Sequence, residues 1–224
     1  MAEKPPARER AQSIEAAAIA GMVYAMSAAA SITILSAPPS LSGPDEAVID
    51  WYVDESNQNL LFASLTLATV AAIAFLWFLG VIRRRLGATM DTFVSTVFLA
   101  SGVIVAALTL VGVSAHAAVG ESIDLRGPND PDVGAVASAT GFSRTILFFA
   151  LPRIQSVFVL TTSTLMLRTG RFRPGLTYFG YFVAVLMFLI PVVMEPLGLL
   201  FPVWVTVLSL ALFARRAEIR RDMA

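Results

Sequence analysis

The sequence Leu151-Pro152-Arg153-Ile154-Gln155 lies in the middle of a long apolar segment that covers residues 142–168. A proline removes one backbone donor from a helix, an arginine adds a charge, and the charge is rare in an apolar helix. The segment is long enough to cross a bilayer, for which about 20 apolar residues suffice. It therefore predicts a kinked membrane-spanning helix whose central charge needs a partner.

Composition extends this prediction to the whole chain. Hydrophobic residues make up 57% of the 224 residues and charged residues 14%, against about 45–50% and about 25% in soluble domains. The apolar residues fall in blocks separated by charged clusters, so we expect an all-α, polytopic membrane bundle with six transmembrane helices. The predicted spans cover residues 14–37, 60–82, 90–119, 142–168, 174–194 and 197–214.

The basic residues predict the orientation of this bundle. They cluster in the N-terminal tail, after the second span, after the fourth span and at the C-terminus, whereas the two long loops hold only Arg126. Positive charge marks the cytoplasmic side, so both termini are expected in the cytoplasm. Residues 1–13 are expected to form a disordered tail and residues 215–224 a basic tail. The excess of arginine over lysine, together with abundant alanine and valine, indicates a GC-rich bacterium and hence a cytoplasmic (inner) membrane.

Two local patterns add detail to the outer loop and the first span. In residues 38–58, Val48, Trp51 and Tyr52 recur at helical spacing, which predicts a short amphipathic helix with both aromatic rings at the headgroup level. The acidic residues of this loop are interpreted as a solvated surface rather than a calcium site, since no calcium-binding loop motif is present. In the first span, small residues recur every four positions and predict a close helix contact, either within the monomer or in a dimer. They are Ala17, Gly21, Ala25 and Ala29.

The rarity of reactive side chains excludes several classes of chemistry. The chain has no cysteine, one histidine, His116, and one lysine, Lys4, which lies in the polar tail. Thiolate metal sites, a bis-histidine haem and a lysine-bound cofactor among the helices are therefore excluded. Ser114 and His116 are two residues apart on a helix, so their side chains point roughly 200° apart and form no catalytic dyad. We expect no enzyme activity, no cofactor and no metal; the net charge of zero favours no nucleic-acid partner.

The charge of Arg153 is the main candidate for a functional or structural centre. Arg153 lies roughly 22 Å from Arg168 along a helix, and Glu195 lies about 7–8 Å further up on the turn before the last span. One hypothesis is a buried Arg153–Glu195 ion pair. The other is an outward-facing polar pocket for an anionic ligand or lipid headgroup. Its lining would be Arg153, Glu195, Gln155, Arg144 and His116. By depth, Arg144 and His116 also fit ordinary residues of the outer interface.

The turn before the fifth span carries a resemblance to a known group of proteins. The sequence Leu165-Met166-Leu167-Arg168-Thr169-Gly170-Arg171-Phe172-Arg173-Pro174-Gly175-Leu176 combines small residues, basic residues and a Pro-Gly pair. It resembles the corresponding inner turn of a family of uncharacterised bacterial six-span membrane proteins that share a domain of unknown function. The resemblance implies the six-span fold and no particular activity.

Two functions follow as expectations. The first is a structural or accessory component of a membrane assembly, whose partners are the lipid bilayer and other membrane proteins. The alternative is a small transporter or binding protein for an anionic ligand or lipid headgroup at Arg153, because discontinuous helices with intramembrane charge are found in transporters.

Overall fold

All secondary structure that the computed structural model describes is helical, over residues 7–39, 45–85, 92–126, 133–170, 172–189 and 198–221. A π-helical segment, Thr145–Ala150, connects the fifth and sixth α-helices without a break. The α-helices are α1 (Ala7–Leu35), α2 (Asp45–Val53), α3 (Glu55–Arg85), α4 (Thr92–Arg126), α5 (Val133–Arg144), α6 (Leu151–Thr169), α7 (Pro174–Leu189) and α8 (Leu200–Arg221).

Four helical stretches of the described chain are long and apolar enough to cross a membrane. They are Glu15–Leu35, Glu55–Arg84, Phe93–Ser122 and Gly134–Thr169. Two further apolar helices, Pro174–Leu189 and Leu200–Ala214, are shorter. The described chain is thus helical with four candidate membrane-spanning stretches, and the first four predicted spans each fall on one of them.

Several helices extend beyond the predicted ends of the spans. Helix α1 begins at Ala7 and α8 runs to Arg221, so both expected tails are at least partly helical. Residues 7–13 are mostly good helix formers, and lengthening an existing helix is much easier than nucleating one. This differs from the disordered tail expected at the N-terminus, of which residues 1–6 lie outside the described residues.

The fourth span also differs from its prediction, because one helical stretch begins well before Phe142 and changes register near Pro152. In the π segment the Leu151 N–H donates to the carbonyl of Ile146, five residues back. Pro152 follows directly and has no N–H to donate. A π-helical turn is a known way for a helix to accommodate such a defect. The predicted kink is therefore realised as a local change of hydrogen-bond register, and the helix continues through it.

An aromatic cluster fills the centre of the bundle, with Phe158 of α6 in its middle. The Phe158 ring lies 5.2 Å from Phe75 of α3 and 5.1 Å from Phe98 of α4, centroid to centroid. It also lies 5.9 Å from Phe201 and 6.2 Å from Trp204, both on α8. One side chain therefore connects four helices, in the tilted and offset geometries that aromatic rings prefer.

Small residues bring α1 close to its neighbours at the edge of this cluster. Helix α1 packs against α3 and α8, and Ala17 and Ala25 are buried there. A Cβ atom at Gly21 would collide with the Ser209 hydroxyl of α8 and approach Phe78 of α3. The small-residue pattern of the first span thus serves contacts within the monomer, as one of the two interpretations predicted.

Replacing Phe158 with alanine should lower the free energy of unfolding by about 3–5 kcal/mol, because it empties the centre of the aromatic cluster. The matched control is Phe182→Ala on α7, since Phe182 is 62% exposed, and this change should stay within about 0.5 kcal/mol. Both values can be measured by unfolding the purified protein in mixed detergent micelles. Equal losses in the two variants would contradict the central position of Phe158.

Candidate functional site

A cavity of about 40 Å³ lies inside the bundle, next to the π segment. Its walls come from α1, α3, α4, the π segment, the start of α6 and Gly198 before α8, and most of the lining residues are aliphatic. Representative wall residues are Ala28, Ala68, Val113 and Leu151. Since a buried water needs about 10–15 Å³ of such space, the cavity has room for roughly three.

Four polar side chains reach this cavity, and two of them already have partners. The Ser31 hydroxyl donates to the Ser64 carbonyl at 3.1 Å and lies 3.0 Å from the Ser64 hydroxyl. The Thr109 hydroxyl donates to the Val105 carbonyl of its own helix at 2.8 Å. The others are Tyr24 and Gln155, and neither makes a side-chain hydrogen bond to another described residue. Gln155 is only 6% exposed and lines the cavity.

Arg153 does not share this site, although it is only two residues from Gln155. Its Nη1 donates to the carbonyl of Phe149 at 2.6 Å, and its guanidinium carbon lies 3.8 Å from the centre of the Phe149 ring. Residues two apart on a helix point roughly 200° apart, which explains why the two side chains take opposite sides. The charge is therefore stabilised by a carbonyl and an aromatic face of its own helix.

The proposed ion pair between Arg153 and Glu195 stays a prediction. Glu195 belongs to residues 190–197, which lie outside the described residues. Within the described chain, the cavity lining includes Gln155 but not Arg153, Arg144 or His116. The five residues proposed for one pocket are thus not brought together around this cavity.

His116 belongs to a second polar cluster, near the ends of α2, α4 and α5. The Tyr52 hydroxyl lies 2.9 Å from His116 Nε2 and 3.3 Å from the Thr140 hydroxyl. Tyr52 is 1% exposed and His116 3% exposed. Both side chains are therefore enclosed by the protein, and the expected positions of Tyr52 at the headgroup level and of His116 at the outer interface stay predictions. Both are buried because each satisfies a polar atom of the other.

Burial and charge act in opposite directions on Tyr52. Burial raises the pKa of the Tyr52 hydroxyl, while the hydrogen bond from Thr140 and the nearby positive charge of Arg144 lower it in part. The guanidinium of Arg144 also lies 5.5 Å from the centre of the Phe148 ring. Arg144 is thus close to the cluster of Tyr52 and His116, as a surface charge next to a buried network.

Helix α2 is held over the bundle by further hydrogen bonds at the start of α3. The Gln58 side chain donates to the Tyr52 carbonyl at 3.0 Å, and the Asn57 side chain donates to the Trp51 carbonyl at 3.0 Å. Asp54 caps α3 by accepting from the Ser56 backbone N–H at 2.9 Å. Its bonds to Ser56 and Asn57 hold the pKa of Asp54 below its usual value.

The predicted short helix in the outer loop is confirmed as α2, and in addition one face of α2 is buried against the bundle. Val48 and Tyr52 of α2 belong to one apolar cluster with Leu35, Ala68 and Val113. The last three also line the cavity. Helix α2 therefore covers the end of the bundle directly above the cavity. The helical spacing of the sequence indicates the buried face of α2. Nothing in the local sequence indicates that Tyr52 forms a hydrogen bond with His116, which is 64 residues away.

Replacing Tyr52 with phenylalanine should destabilise the protein by about 1–3 kcal/mol, because it leaves His116 and Thr140 buried without this partner. Tyr178→Phe is the matched control, since Tyr178 is 64% exposed and its loss should cost less than about 0.5 kcal/mol. Hydrogen exchange of the α2 amides, followed together with global unfolding, measures both effects. Unchanged exchange in α2 of the Tyr52→Phe protein would show that the hydroxyl does not hold this helix.

Comparison with known proteins adds no identification to this geometry. No protein-family model, no curated protein and no solved structure matches the chain. The resemblance of the inner turn to uncharacterised six-span proteins therefore stays a prediction.

Proposed function

We propose that the chain is a multi-pass protein of a bacterial cytoplasmic membrane, with six membrane segments and both termini in the cytoplasm. Four long apolar helices and two shorter ones support the number of segments. The clustering of arginine between them supports the orientation, because basic loops stay on the cytoplasmic side. In this arrangement α2 and the Tyr52–His116 cluster face the outside of the cell.

Single cysteines test this topology in a chain that has none of its own. Asp50→Cys on α2 and Arg84→Cys at the end of α3 both replace exposed side chains. A membrane-impermeant maleimide should label the first in intact cells and the second only after the membrane is permeabilised. Labelling of Arg84→Cys in intact cells, or protection of Asp50→Cys, would overturn the orientation.

For the biological role, we infer that the protein is an accessory component of a membrane assembly and works by binding rather than by catalysis. The outer face of α7 carries this proposal. Helix α7 packs chiefly against α6, and its other side is exposed and rich in aromatic rings. The exposed residues are Tyr178, Phe179, Phe182, Val185, Phe188 and Leu189. Aromatic side chains are enriched at protein interfaces, so we assign this face to a neighbouring membrane protein.

The described polar residues support a role without catalysis, because their contacts are structural. Arg153 binds a carbonyl and a ring of its own helix. His116 binds Tyr52, which connects α2 to α4. Ser143 donates to the Gly112 carbonyl at 2.7 Å and connects α5 to α4. The contacts of His116 and Ser143 connect helices, and that of Arg153 stays within one helical stretch.

A photo-crosslinking residue introduced at Phe182 tests the accessory role. We expect a discrete protein adduct in native membranes, because the ring is exposed on the proposed interface. The control is the same residue at Trp77 of α3, which is 72% exposed on a face that we assign to lipid. Adducts with lipid alone at both positions would overturn the proposed partner surface.

A second proposal is the alternative function, a transporter or binding protein for an anionic ligand at Arg153. Arg153 is half-buried within a membrane-spanning stretch, beside the π segment and Pro152. A break in helical register next to a charge is also a feature of transporter sites. Saturable binding of acetate to the full chain, measured as in the next subsection, would support an anion site and its absence would contradict one.

A further inference from the structure

Gln155 is a buried polar residue in the wall of the cavity. Two glutamines are buried to the same extent, since Gln58 is 7% exposed and Gln155 is 6% exposed. The amide of Gln58 donates to the Tyr52 carbonyl, whereas that of Gln155 has no hydrogen-bond partner among the described residues. A buried amide left unpaired costs about 1–3 kcal/mol, and no bulk water reaches the hydrocarbon region to relieve it. The cavity beside Gln155 is where a partner would sit.

A second group on the same wall also lacks its usual partner. Pro152 has no N–H, so the backbone carbonyl one helical turn before it accepts no hydrogen bond from residue 152. That carbonyl is Phe148 in α-helical register or Leu147 in π-helical register, and both residues line the cavity. The Arg153 side chain serves the next carbonyl, that of Phe149. Gln155 and the residues that carry this carbonyl therefore line the same cavity.

The remaining wall determines which occupant fits. The described part of the lining contains no charged residue, and a buried ion is costly without a counter-charge. The volume of about 40 Å³ corresponds to roughly three waters. Aliphatic side chains such as Ala28, Val113 and Leu151 form most of the surface. A molecule with three or four non-hydrogen atoms, one polar end and one apolar end matches this space.

We propose that this cavity is a binding site for a small neutral molecule that carries both a hydrogen-bond donor and an acceptor, such as a primary amide. The acceptor of the ligand receives a bond from the Gln155 amide. Its donor turns towards the carbonyl that Pro152 leaves unserved, and its apolar end contacts the aliphatic wall. The apolar cluster under α2 closes the site towards the outer face, because Leu35, Ala68 and Val113 belong to both.

Acetamide and acetate form a matched pair of probes, because they share size and shape and differ in charge. Saturation-transfer NMR on the methyl group, with the full chain in detergent micelles, measures the binding of each. We expect saturable binding of acetamide and none of acetate. Binding of acetate in preference to acetamide would overturn the proposal in favour of an anion site, and no saturable binding of either would mean that the cavity holds only water.

Variants locate the bound probe. Gln155→Met keeps the approximate volume and removes the amide, so it should weaken acetamide binding about tenfold, the effect of one lost hydrogen bond. It should leave the melting temperature unchanged or higher, since it removes an unpaired polar group. Ser156→Ala is the control, because Ser156 is equally buried and donates to the Arg153 carbonyl away from the cavity. Equal weakening in both variants would overturn the assignment.

A second variant covers the case in which Gln155→Met does not fold. Ala28→Leu fills the cavity from α1 and leaves Gln155 intact, since Ala28 is buried and lines the space. It should abolish acetamide binding. Acetamide that still binds to a folded Ala28→Leu protein with unchanged affinity lies elsewhere, and this result would overturn the site.

Discussion

The absence of bulk water in the hydrocarbon region is the constraint on which the rest of this structure depends. Every backbone and side-chain polar group there needs a partner inside the protein. Pro152 withdraws one donor from the middle of a spanning helix, and the consequences are visible on both sides of it. Before it, the helix changes to π register. After it, the Arg153 side chain turns back and donates to a carbonyl of the preceding turn.

The same constraint explains why polar residues concentrate at helix contacts. Ser31 and Ser64 bond each other between α1 and α3, and Thr164 and Tyr181 bond each other between α6 and α7 at 3.0 Å. Such bonds add to packing that the aromatic cluster around Phe158 provides. The amide of Gln155 differs from the hydroxyls of Ser156, Thr161 and Thr162 on the same helix, which donate to backbone carbonyls.

The helical membrane fold, the short helix α2 and the internal use of the small residues in α1 could all be predicted from the sequence. These features follow from composition and local periodicity, which act over one or two helical turns. The register change before Pro152, the burial of Tyr52 and the separation of Arg153 from Gln155 required the structure. The register change depends on which backbone hydrogen bond is lost at Pro152. The burial of Tyr52 depends on His116, which lies on a different helix. Helix ends were predicted too short, because the hydropathy of a segment marks the membrane boundary and not the end of the helix.

The close contact between Gly21 and Ser209 has a consequence for how the protein is made. Gly21 lies in the first helix of the chain and Ser209 in the last. During synthesis α1 enters the membrane long before α8 leaves the ribosome, so its small-residue face waits without its final neighbour. Phe201 and Trp204 of α8 arrive at the same late moment to complete the aromatic cluster. Insertion of α8 is therefore the step that completes these contacts, and a chain truncated before α8 lacks the neighbour that covers this face of α1.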